Sequence, residues 1–127
     1  MITVVAAVIE SDGRLLVTRR QEGTHLAGLW EFPGGKVDAG ESHAEALVRE
    51  IREELGVGST AGALVFDVRH EYHDRVVALY FYECRLDGDP VPQLGQQMRW
   101  VTRDELGELA FPPADDALIT KLRSSRA

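Results

Sequence analysis

The chain has 127 residues, 44% hydrophobic and 28% charged, with a formal net charge of −7. That length suits one domain with enough core to fold without disulfides or a structural metal, and the negative charge argues against non-specific binding to a nucleic-acid polymer, which needs basic surface. No apolar stretch reaches the ~18 residues of a membrane span, and the start at Met1-Ile2-Thr3 lacks the basic region of a signal peptide.

Ile2 to Ile9 is almost wholly apolar and β-branched, which predicts a central strand buried on both faces. Asp12-Gly13 is a hairpin signal, and the chain returns as a strand over Arg14 to Arg19. Gln21 to Gly28 reads as a polar loop, Leu29 to Phe32 as a short extended segment, and Pro33-Gly34-Gly35 as a tight turn. A helix follows. Ser42 and Glu45 have capping-box spacing, and Gly56 suits a left-handed cap at its end. Its buried stripe is Ala44, Leu47, Val48, Ile51 and Leu55.

Gly58 to Gly62 then reads as a loop, and Ala63 to Glu71 and Val76 to Leu86 as strands joined through His73-Asp74. Asp87 to Gly95, with its Gly, Pro and Asp, is a loop before a short strand over Met98 to Val101. Thr102 and Glu105 offer a second capping box, opening a short helix to Leu109. Pro112-Pro113 starts a last helix through about Arg123, and Ser124 to Ala127 reads as a frayed tail. No repeat or linker interrupts residues 1–127, which predicts a single domain. Strands, helix, strands, helix implies an α+β fold. Cys84 stands alone in an apolar run, so no internal disulfide is possible, and a reducing, cytoplasmic setting is expected.

The chemistry concentrates on the first helix. Glu50, Glu53 and Glu54 sit at i, i+3 and i+4 and so share one face. Like charges at that spacing cost a helix about a few tenths of a kcal/mol per pair. A hard divalent cation turns that repulsion into coordination, which points to Mg2+ or Mn2+. Charge runs are more often a solvated face, but the wider string has a pattern of its own. Gly35, Glu41, Arg49, Glu50, Ile51, Glu53, Glu54, Gly56 and Val57 fit Gly-x5-Glu-x7-Arg-Glu-(aliphatic)-x-Glu-Glu-x-Gly-(aliphatic) at every fixed position.

On that string the chain closely resembles the Nudix hydrolases. The resemblance implies a mixed β-sheet between the motif helix and the C-terminal helix, an α/β/α sandwich. It also implies hydrolysis of a nucleoside diphosphate linked to another group. By position, Glu50, Glu53, Glu54 and the carbonyl of Gly34 would hold Mg2+, with Mn2+ able to substitute. Glu50 would also serve as a candidate base, Arg49 would orient the carboxylates, and Glu41 would support them.

The flanks Thr18-Arg19-Arg20, Glu31-Phe32-Pro33-Gly34-Gly35, Tyr72-His73-Asp74-Arg75 and Phe111-Pro112-Pro113-Ala114-Asp115 resemble MutT-type nucleotide sanitisers. The start of the chain and Leu29-Trp30-Glu31-Phe32 also resemble bacterial CTP pyrophosphohydrolases of the same family. The resemblance implies a nucleoside triphosphate substrate, 8-oxo-dGTP first and (d)CTP as the alternative, acted on by a monomer or homodimer. Arg20 and His25 would face the phosphates or sugar, Phe32 the base, and Tyr72 and Arg75 the nucleoside. Asp115 stands where MutT has asparagine, and Arg99 where related chains can carry an acidic metal ligand.

Overall fold

The computed structural model describes residues 1–24 and 26–124. His25 and residues 125–127 lie outside the described residues, and with them the expected phosphate-side histidine and all of the expected frayed tail but Ser124, which instead ends the last helix with its hydroxyl donating to the Thr120 carbonyl at 2.9 Å.

Strand β1 (Ile2–Val8) is central, as its apolar run predicts. It pairs parallel with β7 (Arg75–Leu86) and antiparallel with β5 (Gly34–Lys36). With β6 (Ser59–Tyr72) on the far side of β7, the order is β5-β1-β7-β6, a mixed sheet. A second sheet is built on β3 (Arg14–Arg19), which pairs with β2 (Glu10–Ser11), β4 (Trp30–Glu31) and β8 (Met98–Val101). Asp12 and Gly13 turn the β2–β3 hairpin with φ of 51° and 76°, the two positive values of a type I′ turn.

The period of two along a strand divides the interior. Val5, Ala7, Ile9 and Leu16 pack with Ala46, Leu47, Ile51 and Leu55 of helix α1 (His43–Leu55). The intervening Ala6, Val8, Leu15 and Val17 pack with Leu106 of α2 (Arg103–Leu106) and with Leu118, Ile119 and Leu122 of α3 (Asp116–Ser124). The sheets are therefore clasped between α1 and α3, the predicted α+β sandwich. Both capping boxes form, Ser42 with Glu45 and Thr102 with Glu105, and Gly56 closes α1 at φ 65°.

Four local expectations are corrected. Pro33-Gly34-Gly35 does not turn; Gly34 and Gly35 enter β5, where Gly34 faces Ala6 across a very close strand contact. The supposed loop over Gly58 to Gly62 is mostly strand, because β6 starts at Ser59 and absorbs its glycine through irregular pairing between Ala61 and Phe66. Ala44 is exposed in the first turn of α1, and Ala46 fills the core in its place. Helix α2 stops at Leu106, and α3 is preceded by a 3-10 turn over Pro113–Asp115.

Candidate active site

Helical geometry ranks the three motif glutamates. Glu54 lies seven residues after Leu47, nearly two full turns, so it shares the face of a fully buried leucine. Glu53 is about 100° further round and its side chain is 58% exposed, while that of Glu50 is only 17% exposed. Glu54 hydrogen-bonds to Glu50 and accepts from the Gly34 N–H. Burial, then Glu50 and Glu31, push its carboxyl up to about 9. Among the described residues no three acidic groups converge as they stand on one ion position.

Arg49 ties the acids together. Its Nε and Nη2 donate to the two carboxylate oxygens of Glu41 at 2.8 and 2.9 Å, and its Nη1 donates to Glu50 at 2.9 Å. Glu53 is held more loosely at 3.3 Å, and Nη2 also reaches the carbonyl of Lys36 at 3.0 Å. Glu41 further accepts from the Asp38 N–H at 2.8 Å. The Arg49 guanidinium, with that N–H, holds the Glu41 carboxyl down to about 2. Glu41 thus acts on the glutamates only through Arg49.

The edge strand β5 supplies backbone. Ala7 N–H donates to the carbonyl of Pro33 at 2.7 Å, so Ala6 and Gly34 form a non-hydrogen-bonded pair. In such a pair both backbone groups of Gly34 point away from β1. A Cβ on Gly35 would run into the Glu50 carboxylate. The bare backbone lets α1 lie against β5 with its acids between them.

Two connected cavities open here. One, of about 380 Å3, is lined by Glu50, Glu53, Glu54, Glu31, Arg20, Gln96 and Thr18. The other, of about 270 Å3, holds Phe32, Phe81, Tyr72, Arg75 and Asp115 in its wall. Arg20, Glu31, Gly34 and Gly35 line both. One cavity is acidic, the other mostly apolar with a carboxyl in its wall.

The chain matches the NUDIX domain family over residues 4–121. It belongs to the Nudix hydrolase family. It is 39% identical to a CTP pyrophosphohydrolase of Escherichia coli, over 100% of this chain and 95% of that protein. It is 38% identical to an 8-oxo-dGTP diphosphatase of Haemophilus influenzae, over 96% and 91% of the two chains. In structure it is similar to the E. coli ORF135 protein, at a TM-score of 0.88 and 39% identity, covering 100% of this chain and 91% of that one. Nudix hydrolases generally need a divalent metal.

Against this Nudix frame the predicted substrate residues fall as follows. Phe32 is buried, edge-on to Phe81 at 5.9 Å and stacked on Phe111 at 5.6 Å, so it is both core and cavity wall. Tyr72 and Arg75 close the same cavity from the β6–β7 hairpin. Arg20 donates to Glu31 at 2.7 Å. Asp115 is buried in the 3-10 turn that follows Pro112. Burial, then the charges of Glu31 and Asp116, push its carboxyl up to about 7, with Arg20 opposing. Arg99 is on the other face of its sheet, 5.7 Å over the Trp30 ring and 3.5 Å from Glu105, and not beside the glutamates.

Sequence reasoning gave no role to Glu31 or Gln96. Glu31 sits where the two cavities meet, and burial raises its carboxyl against the pull of Arg20. Its signal was alternation: Trp30 and Phe32 face the α3 core, which leaves Glu31 for the other side. Gln96 is buried in a loop, donating to the carbonyl of Glu54 at 2.9 Å and accepting from the Leu94 N–H at 2.8 Å. No periodicity marks a loop residue of that kind.

Proposed function

We propose that this single-domain chain is a Mg2+-dependent nucleoside triphosphate pyrophosphohydrolase. It converts a (d)NTP and water to (d)NMP and pyrophosphate. The observation that carries this is the junction of the two cavities: an acidic one over α1 and a base-sized one ending at Asp115 share the walls Arg20, Glu31, Gly34 and Gly35. A triphosphate among the glutamates would leave its nucleoside in the second cavity.

Glu50, Glu53, Glu54 and the outward carbonyl of Gly34 would hold the cation. All are oxygen donors, which suits a hard divalent ion. The burial and acidic crowding that raise the Glu54 carboxyl are what a cation there would relieve. A divalent cation held there would supply charge neutralisation at the phosphate oxygens and a lowered pKa for bound water. The chain does the positioning. Arg49 fixes Glu50, which lines the acidic cavity and would accept a proton from attacking water. Arg20 and Arg75 offer charge to the phosphates and sugar. Phe32 and Tyr72 offer ring surface to the base.

The preferred substrate is an oxidised purine nucleotide such as 8-oxo-dGTP, in line with the diphosphatases that the chain resembles over nearly its whole length. A second reading, (d)CTP, is favoured by Asp115, because an ionised carboxylate only accepts and cytosine N4 only donates. The chain would act on free nucleotides in the cytoplasm, as a monomer or homodimer. Product analysis tests the proposal. Incubation with a panel of dNTPs, 8-oxo-dGTP and CTP should release pyrophosphate and lose all activity in EDTA. Release of orthophosphate alone, or activity indifferent to EDTA, would refute it.

A further inference from the structure

Thr18 lies on β3 between Leu16 and Arg20. Leu16 packs against the α1 core, so alternation turns Thr18 to the same side, toward α1. It is paired directly with Glu31 on β4 and with Met98 on β8, which places these side chains on one face. Thr18 also lines the cavity that holds Glu50, Glu54 and Gln96. Yet the residue is only 1% exposed and its hydroxyl has no hydrogen-bond partner.

A buried, unpaired hydroxyl is costly, and valine has nearly the same shape without that cost. Its acidic neighbours are engaged elsewhere. Glu31 accepts from Arg20, Glu50 from Arg49, and Glu54 from Gly34. Gln96 uses both ends of its amide on backbone. A hydroxyl kept in such a place, beside carboxylates that must turn to meet a cation, makes sense if its partner comes with the ligand.

We propose that Thr18 is a positioning residue of this site, whose hydroxyl hydrogen-bonds an oxygen brought to it when the cavity is loaded. That oxygen belongs to a re-aimed carboxylate, to a phosphate or to water. The inference rests on the proposed function for its substrate, but not for its metal-binding readout.

Thr18→Val and Thr18→Ser test it. Metal-free Thr18→Val should melt at or above the wild-type temperature, while kcat/KM for the best nucleotide falls about tenfold and Thr18→Ser recovers most of the loss. Two titrations locate the oxygen. Weaker Mn2+ binding without nucleotide indicates a carboxylate. Weaker binding of an α,β-imido nucleotide with Mn2+ affinity kept indicates a phosphate. A fall in kcat alone indicates water. Wild-type values for Thr18→Val in all of these overturn the proposal. So does a serine variant as impaired as valine, or a valine variant that fails to fold, since the hydroxyl would then serve the unliganded structure. If wild type releases no pyrophosphate from any nucleotide, the proposed function fails, and the Mn2+ and imido-nucleotide binding titrations, which need no turnover, decide Thr18: unchanged affinity in both overturns its role.

Discussion

Glu50 and Glu54, one turn apart on α1, hydrogen-bond to each other, and burial with this contact pushes the Glu54 carboxyl up to about 9. An acid whose folded-state pKa is raised stabilises the fold most when it is protonated in both states. That contribution is complete below its ordinary value of 4.5 and is lost as pH rises toward about 9. The metal-free protein should therefore melt at progressively lower temperature between those two values. Glu54→Gln should flatten the slope and raise the metal-free melting temperature at alkaline pH. The same variant should lose on the order of a hundredfold or more in kcat. Melting curves with and without Mg2+ check all three, and an unchanged slope would separate Glu54 from the pH response.

Arg49 works through geometry as much as charge. It spans Glu41, Glu50, Glu53 and the Lys36 carbonyl with one planar group. Lysine keeps the charge but cannot make that fork. Arg49→Lys should thus lower metal affinity or activity about 10–100-fold, the usual penalty for disturbing the partners of metal ligands. Glu41→Gln should show a smaller effect in the same direction. Mn2+ titration of the two variants measures both, and wild-type affinity in Arg49→Lys would contradict the clamp.

Gly34 and Gly35 are adjacent and should fail differently. A Cβ on Gly34 meets the Val5 carbonyl oxygen, which is main chain and cannot move aside. Gly34→Ala should cost roughly 3 kcal/mol or more of stability. A Cβ on Gly35 meets only the end of the Glu50 side chain. Gly35→Ala should fold and melt near wild type while Mn2+ affinity falls about tenfold. Equal destabilisation of both variants would show that the strand contact, not the carboxylate, governs Gly35.

These two glycines also mark where the sequence was legible and where it was not. The span of α1, both capping boxes and the 12–13 hairpin depend on neighbours within a few residues, and each formed as read, although Ala46 rather than Ala44 fills the core. Pro33-Gly34-Gly35 looked like a turn because proline and glycine favour turns locally; the pairing with β1, thirty residues back, decided otherwise. The three glutamates were visible by helical spacing, but their unequal burial follows from which one shares the face of Leu47. Glu31, Thr18 and Gln96 join the cavity from the second sheet and from a loop. Alternation along β3 and β4 gives the face of Thr18 and Glu31, but no local pattern shows that α1 packs over that face, and none marks Gln96.

We propose that Asp115 carries the choice of base. It is buried in the wall of the apolar cavity and held by the 3-10 turn after Pro112. With its carboxyl pushed up to about 7, it changes from donor-and-acceptor to acceptor alone across neutral pH. Below that value the protonated acid resembles the amide of asparagine. Above it the carboxylate loses the donor that an asparagine amide offers and only accepts, from cytosine N4, adenine N6 or guanine N1/N2 alike. The ratio of kcat/KM for 8-oxo-dGTP to that for dCTP should therefore rise as pH falls through 7. The ratio cancels titrations common to both substrates, those of the glutamates included. Asp115→Asn should fix the ratio toward 8-oxo-dGTP at every pH. Asp115→Ala should raise KM and cost about 1–3 kcal/mol in kcat/KM while leaving metal dependence intact. If Asp115 only caps the turn into α3, the variants lower the melting temperature and the ratio stays put at all pH values, which removes Asp115 from base recognition.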